Sequence, residues 1–244
     1  GTDVFYQKPA DLVDILLVVD NSCSMAPYQT KLAENFQSFI QFFVDVDVDY
    51  HIGVTTTTVT DVGPYGSCTQ QDVNKIPGPG QLVMNKVITS ETSNAEQLFG
   101  QLVNVGVCGA GNEMGLEAAS LALGSASNSS FLRDDAELSI IFVSDEEDGS
   151  PQPVNNYLND FREAKPDGGR ESMDVSALVV TDLSSCDQQQ KQAGATTGDR
   201  YLDVAEQGRG VIGNICADDF ASIVTDLSLN SSRLNDRFYL SSRP

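Results

Sequence analysis

Oxygen-bearing side chains close two apolar runs in this sequence. Asp14-Ile15-Leu16-Leu17-Val18-Val19 leads directly into Asp20-Asn21-Ser22-Cys23-Ser24-Met25. Leu138-Ser139-Ile140-Ile141-Phe142-Val143 leads into Ser144-Asp145-Glu146-Glu147-Asp148. Carboxylates and hydroxyls are hard donors of the kind that Mg²⁺, Mn²⁺ and Ca²⁺ take. A short apolar run without alternation suits a strand covered on both faces, and ligands of such sheets bind beyond the carboxyl ends of the strands. Asp20, Ser22, Ser24 and Asp145 stand at that place. The bland alternative is a turn, because Asp, Asn and Ser also form Asx-turns and cap helices. The repetition of the pattern after two strands favours metal. Glu146, Glu147 and Asp148 read as a solvated acidic loop, one member of which would serve a second ion.

Other chemistries fit poorly. His51 is the only histidine, which removes a Ser-His-Asp triad and a histidine-rich zinc site. Gly109-Ala110-Gly111 has neither the spacing nor the preceding strand of a dinucleotide fingerprint, and no phosphate-cradling lysine motif exists. Asp45-Val46-Asp47-Val48-Asp49 opens like a calcium loop, but Tyr50 stands where glycine is needed. The enzyme reading that survives is a phosphoryl-transfer hydrolase with Asp20 as nucleophile beside Mg²⁺. It lacks the second aspartate two residues on, where Ser22 stands. The net charge of −21 argues against nucleic acid and against anionic lipid. There is no apolar run of membrane-spanning length.

The elements that must position these residues alternate. Asp14–Val19, Tyr50–Val59, Gln81–Ile88, Leu138–Val143, Val175–Thr181 and Val211–Ile215 read as strands. Tyr28–Val44 reads as a helix with Leu32, Phe36, Phe39, Ile40 and Phe43 on one face, and further helices are expected over Thr92–Val105, Met114–Leu123, Val154–Ala164, Tyr201–Gln207 and from Asp218 or Asp219 through Phe220, Ile223, Val224 and Leu227. Thr60–Gly80 and Ser184–Thr197 read as long polar loops, and Arg237–Leu240 as a strand leaving the domain. This order implies an α/β fold with a mainly parallel central sheet flanked by helices on both faces.

The five cysteines are dispersed. Cys186 and Cys216 both follow the carboxyl end of an expected strand, so they are expected to bond across a loop of about 30 residues, worth roughly 3–4 kcal/mol.

Asp20-x-Ser22-x-Ser24 after a buried first strand resembles the metal-ion-dependent adhesion site of von Willebrand factor A domains, and the wording Asp-Asn-Ser-Cys-Ser-Met resembles secreted or surface-exposed bacterial members. The resemblance covers roughly residues 13–229. It implies a Rossmann-like von Willebrand factor A fold for that span, with residues 1–12 as an entry arm and 230–244 as an extension towards a further domain. It implies Mg²⁺, or Mn²⁺ or Ca²⁺, held by Ser22 and Ser24, with Asp20 and Asp145 binding directly or through water. It further implies a protein ligand, often supplying a Glu or Asp carboxylate to the ion, no catalysis, a monomeric module of a larger protein, and an extracytoplasmic location: secreted, periplasmic or cell-surface. The family pattern expects a threonine in the loop before the helix that starts near Glu113. Val107 aligns there and has no donor, so Asn112 or Glu113 is expected to substitute. Glu113 also reads simply as an acid favoured by a helix dipole. The resemblance places Cys108 across the ion from Cys23, which implies a Cys23–Cys108 bond; Cys68–Cys108, with Cys23 free, is the rival.

Overall fold

The computed structural model describes residues 11–60, 67–165 and 173–233, with the side chains of Phe36 and Gln37 also outside the description. Most of the expected entry arm and the expected strand Arg237–Leu240 therefore lie outside the described residues.

The chain runs β1 (Leu12–Val19), α1 (Ala26–Asp45), β2 (Asp49–Thr56), α2 (Gln70–Val73), β3 (Val87–Thr89), α3 (Ala95–Val103), α4 (Gly115–Gly124), β4 (Glu137–Ser144), α5 (Val154–Glu163), β5 (Met173–Val179), α6 (Gln188–Ala193), α7 (Asp199–Gln207), β6 (Arg209–Asn214) and α8 (Ala221–Ser231). The strands form one sheet in the order β3-β2-β1-β4-β5-β6. All neighbours are parallel except the short edge strand β3, which runs antiparallel to β2.

β1 shows why its sequence does not alternate. Val13, Ile15, Leu17 and Val19 pack with Phe39, Phe43, Phe99 and Val224, in the layer of α1, α3 and α8. Leu16 and Val18 pack with Leu116, Ala119, Leu158 and Tyr201, in the layer of α4, α5 and α7. Helices on both faces leave no side of the strand for water, so both sides must be apolar. The sheet order also sets the position of the chemistry. From β1 the chain crosses to β2 on one side, while β4 lies on the other, with Val19 paired to Val143. That divergence is a topological switch point, where the loops after β1 and β4 part and leave a crevice.

Departures from the sequence reading have local causes. The strand expected over Gln81–Ile88 shrinks to Val87–Thr89, because Met84 and Asn85 both adopt left-handed backbone (φ 57° and 50°). The strand expected to Val59 stops at Thr56, and the next two threonines turn into the crevice. Two short helices interrupt the expected loops. Thr69 with Asp72 and Asp187 with Gln190 form reciprocal capping boxes, which hold α2 and α6 although neither buries a residue.

The opposite end of the sheet holds a buried ionic knot. Asp14 is fully buried and accepts hydrogen bonds from the Arg133 backbone N–H (2.6 Å) and Nε (2.8 Å) and from Lys165 Nζ (3.4 Å). Lys165 also donates to the Arg133 carbonyl, and Arg133 reaches the carbonyls of Val13 and Asp49 at 2.9 and 3.3 Å. One knot thereby ties β1, β2 and the segment before β4.

On β5, Asp174 is buried beneath α8 and accepts from Ser139 Oγ at 2.9 Å. Burial raises its pKa to about 6, against weaker lowering by Arg233 and by hydrogen bonds. A folded pKa above the unfolded value means the native state holds the proton more tightly. Its contribution to stability is therefore complete at low pH and is lost as pH rises through about 6. Asp174→Asn should accordingly gain stability relative to the wild type between pH 4 and 7, a trend that urea midpoints measured across that range would show or refute.

Candidate metal centre

Asp20 follows β1 and is fully buried; its N–H continues the ladder to the Val143 carbonyl at 2.9 Å. Its Oδ1 accepts the Ser22 N–H at 2.7 Å, closing an Asx-turn, and its Oδ2 accepts Ser144 Oγ at 2.6 Å. The turn aims both serine hydroxyls at the crevice. Ser22 Oγ and Ser24 Oγ lie 3.1 Å apart, and Ser24 Oγ donates to Asp145 Oδ1 at 3.0 Å. The hydroxyls are not helix caps: α1 starts after Met25 with no side-chain cap, although Ser24 is adjacent. Asp145 does not cap α5, which begins only at Val154. Four oxygen-bearing side chains from two loops, Asp20, Ser22, Ser24 and Asp145, thus converge at the ends of β1 and β4.

The loop before α4 closes the crevice. Gly109 N–H bonds the Asn21 carbonyl at 2.8 Å, and a Cβ at Gly109 would stand 2.3 Å from Asn21 Oδ1, so only glycine allows this approach. Thr58 Oγ1 donates to Asn21 Oδ1 at 2.8 Å and accepts the Ala110 N–H at 3.0 Å. Gln29 Nε2 bridges the carbonyls of Asp20 (3.0 Å) and Gly106 (2.9 Å). Glu113 is buried at the start of α4 and accepts a short hydrogen bond from Thr57 Oγ1. Asn112 is exposed, its amide lying against Gly149, where an added Cβ would stand 2.2 Å from Asn112 Oδ1. Of the two substitutes expected for the absent threonine, Glu113 therefore faces inward and Asn112 does not.

Electrostatics mark the cluster as short of positive charge. Burial raises the pKa of Asp20 and Glu113. Asp145 is pushed up to about 6 and Glu146 to about 7, by burial first and then by the charge of Asp20. Among the described residues, no lysine or arginine acts on these four. Asp145 Oδ2 and Glu113 Oε1 are buried and find no hydrogen-bond partner among the described residues. A buried carboxylate oxygen with no donor is costly unless a cation meets it. Among the described residues no three His, Cys, Asp or Glu side chains form a metal-holding group by themselves. The donor set that fits an ion here is mixed, with the two serine hydroxyls beside the carboxylates.

Cysteine placement corrects one expectation. Cys186 and Cys216 are bonded, as their positions after β5 and β6 suggested. Cys108 is bonded to Cys68, not to Cys23, which is exposed and free. The backbone bond between Gly109 and Asn21 already joins the two loops, while the Cys23 side chain turns out of the Asx-turn towards solvent. In a short maleimide pulse at slightly acidic pH without reductant, where thiol–disulfide exchange is held off, Cys23 alone should be labelled; labelling at Cys68 in place of Cys23 in that pulse would contradict this pairing.

Thr57, Thr58, Asn21, Gln29 and Ser144 complete the site and were not singled out in the sequence. Four consecutive threonines, Thr55–Thr58, look like any β-branched strand, and nothing local marks where the strand ends.

No family model and no curated protein matches the sequence. Among solved structures, the chain is similar to proximal thread matrix protein 1 from the mussel byssus. One crystal form aligns with a TM-score of 0.51 at 14% identity, covering 91% of this chain and 46% of that one. A second structure of that protein, described as having a zinc-occupied MIDAS motif, aligns with a TM-score of 0.51 at 15% identity over the same shares. The chain thus spans less than half the length of the mussel protein. Sheet order, layers and this likeness together give the chain a von Willebrand factor A-like α/β fold.

Proposed function

We propose that the crevice at the ends of β1 and β4 binds a divalent cation and that the domain uses this loop face to recognise another protein. The observation that carries the reading is the convergence of Asp20, Ser22, Ser24 and Asp145 around buried, unpartnered carboxylate oxygen. Ser22, Ser24, Asp20 and Asp145 would hold the ion, and Glu113 with Thr57 would back Asp20 from the interior. All are hard oxygen donors, which suit Mg²⁺, Mn²⁺ or Ca²⁺; the zinc in the mussel protein's motif supports divalent binding in general. The ion would present a Lewis-acidic centre to which a partner's Asp or Glu carboxylate binds.

Two bonded cysteine pairs favour an oxidising, extracytoplasmic setting. No helix among the described residues is long and apolar enough to cross a membrane. A bacterial source rests on the wording of the first loop alone, since the similar structures come from a mussel. We propose no catalytic role: Ser22, two residues after Asp20, has no acid/base capacity at neutral pH.

Calorimetric titration with Mg²⁺, Mn²⁺, Ca²⁺ and Zn²⁺ tests the reading. Binding is expected in the wild type and its loss in Asp20→Ala, with the circular dichroism spectrum unchanged. Heats that stay at the dilution level for every ion up to millimolar concentration would overturn it.

A further inference from the structure

Three cysteines share one surface groove. Cys23, Cys68 and Cys108 line one solvent-open groove, together with Val107 and residues around α2 and Met84. Cys23 is an exposed thiol and Cys68–Cys108 is a disulfide. The loops that carry Cys23 and Cys108 are bonded through Asn21 and Gly109, two residues from the first and one from the second. A thiolate that shares a groove with a disulfide can attack it, once its side chain turns in from solvent, without any external oxidant or reductant.

We propose that Cys23 exchanges with the Cys68–Cys108 disulfide, so that the bond moves between two positions and resets the loop face. The Cys23 thiolate attacks Cys108 Sγ, a Cys23–Cys108 bond forms, and the Cys68–Cys108 bond breaks. Cys68 leaves as thiolate and takes up the proton that Cys23 gave to solvent, so no electrons enter or leave the protein. In the structure the bond fastens the segment before α2 to the loop before α4. After exchange it fastens the Asp20–Met25 turn to that loop and releases Cys68. Ser22 and Ser24 flank Cys23, so the exchanged form holds their hydroxyls differently. The exchange itself does not depend on metal binding.

The test is made on the whole chain, held without oxygen at mildly alkaline pH, quenched with acid at intervals, alkylated and mapped without reduction. Alkylated Cys68 and a Cys23–Cys108 peptide are expected to appear together, at a rate independent of protein concentration. Both should be lost in Cys23→Ser. Alkylation confined to Cys23 at all times would overturn the proposal, as would release of Cys68 in Cys23→Ser or exchange only through disulfide-linked dimers. Cys68→Ala supplies a second measurement. With glutathione disulfide as oxidant it should close Cys23–Cys108, and an end point of glutathione adducts alone would also overturn the proposal.

Discussion

Asp14→Ala is expected to destabilise the domain by about 3–5 kcal/mol, the range for removing one partner of a buried ion pair. Asp14 and Lys165 are both buried, and Arg133 is largely so. Removing the carboxylate takes the counter-charge from the buried ammonium of Lys165, which keeps the Arg133 carbonyl, and takes the acceptor from the Arg133 backbone N–H and Nε. The loss of partners exceeds the gain from one smaller side chain. Burial already lowers the pKa of Lys165, and Asp14 opposes that most, ahead of Asp134; without Asp14 the lysine should lose its proton more readily. Asp14→Asn keeps the shape and one acceptor, so it should fall between the two. Equilibrium urea unfolding measures the difference, and a midpoint for Asp14→Ala equal to the wild type would contradict the structural account of the knot.

Divalent metal is expected to raise thermal stability. An ion that binds only the native state adds about 2.7 kcal/mol at a hundredfold excess over Kd. In a domain of this size each kcal/mol moves Tm by roughly 2–4 °C. The expected rise is therefore on the order of 5–10 °C, reversed by a chelator and absent in Asp20→Ala. Ser24→Ala should lose part of it, since that hydroxyl joins the two loops through Asp145. The apo form of Asp20→Ala should not be less stable than apo wild type by the same margin, because the charge it removes is one that crowds Glu113, Asp145 and Glu146. Differential scanning calorimetry with and without metal separates these cases; a wild-type Tm indifferent to every divalent ion would remove the stabilisation.

The parts of this molecule that were legible in the sequence are those whose physics is local. Ile15–Val19 and Ile140–Val143 declare strands buried on two faces, and a carboxylate one residue after the first run and two after the second declares the end where ligands sit. The helix stripes through Leu32, Phe39 and Phe43 needed only periodicity. Thr57 and Thr58 were illegible because their role depends on where β2 stops, which is set by packing against the loop before α4. The disulfide of Cys108 failed for a similar reason. Cys23 and Cys108 belong to neighbouring loops, but Cys68 comes to Cys108 from the long segment before α2, a long-range approach that no local pattern announces, and Cys23 is left exposed. The helices α2 and α6 were missed although their capping boxes stand in the sequence as Thr69-x-x-Asp72 and Asp187-x-x-Gln190, because without an apolar stripe periodicity has nothing to detect.

The most direct measurement is an anomalous difference map from crystals grown with Mn²⁺. The account predicts a peak within bonding distance of Ser22 Oγ and Ser24 Oγ, on the Asp20 and Asp145 side of the crevice, that is absent in Asp20→Ala crystals. A map with no peak there at saturating Mn²⁺, or with the ion only on the exposed acidic side chains elsewhere, would contradict it.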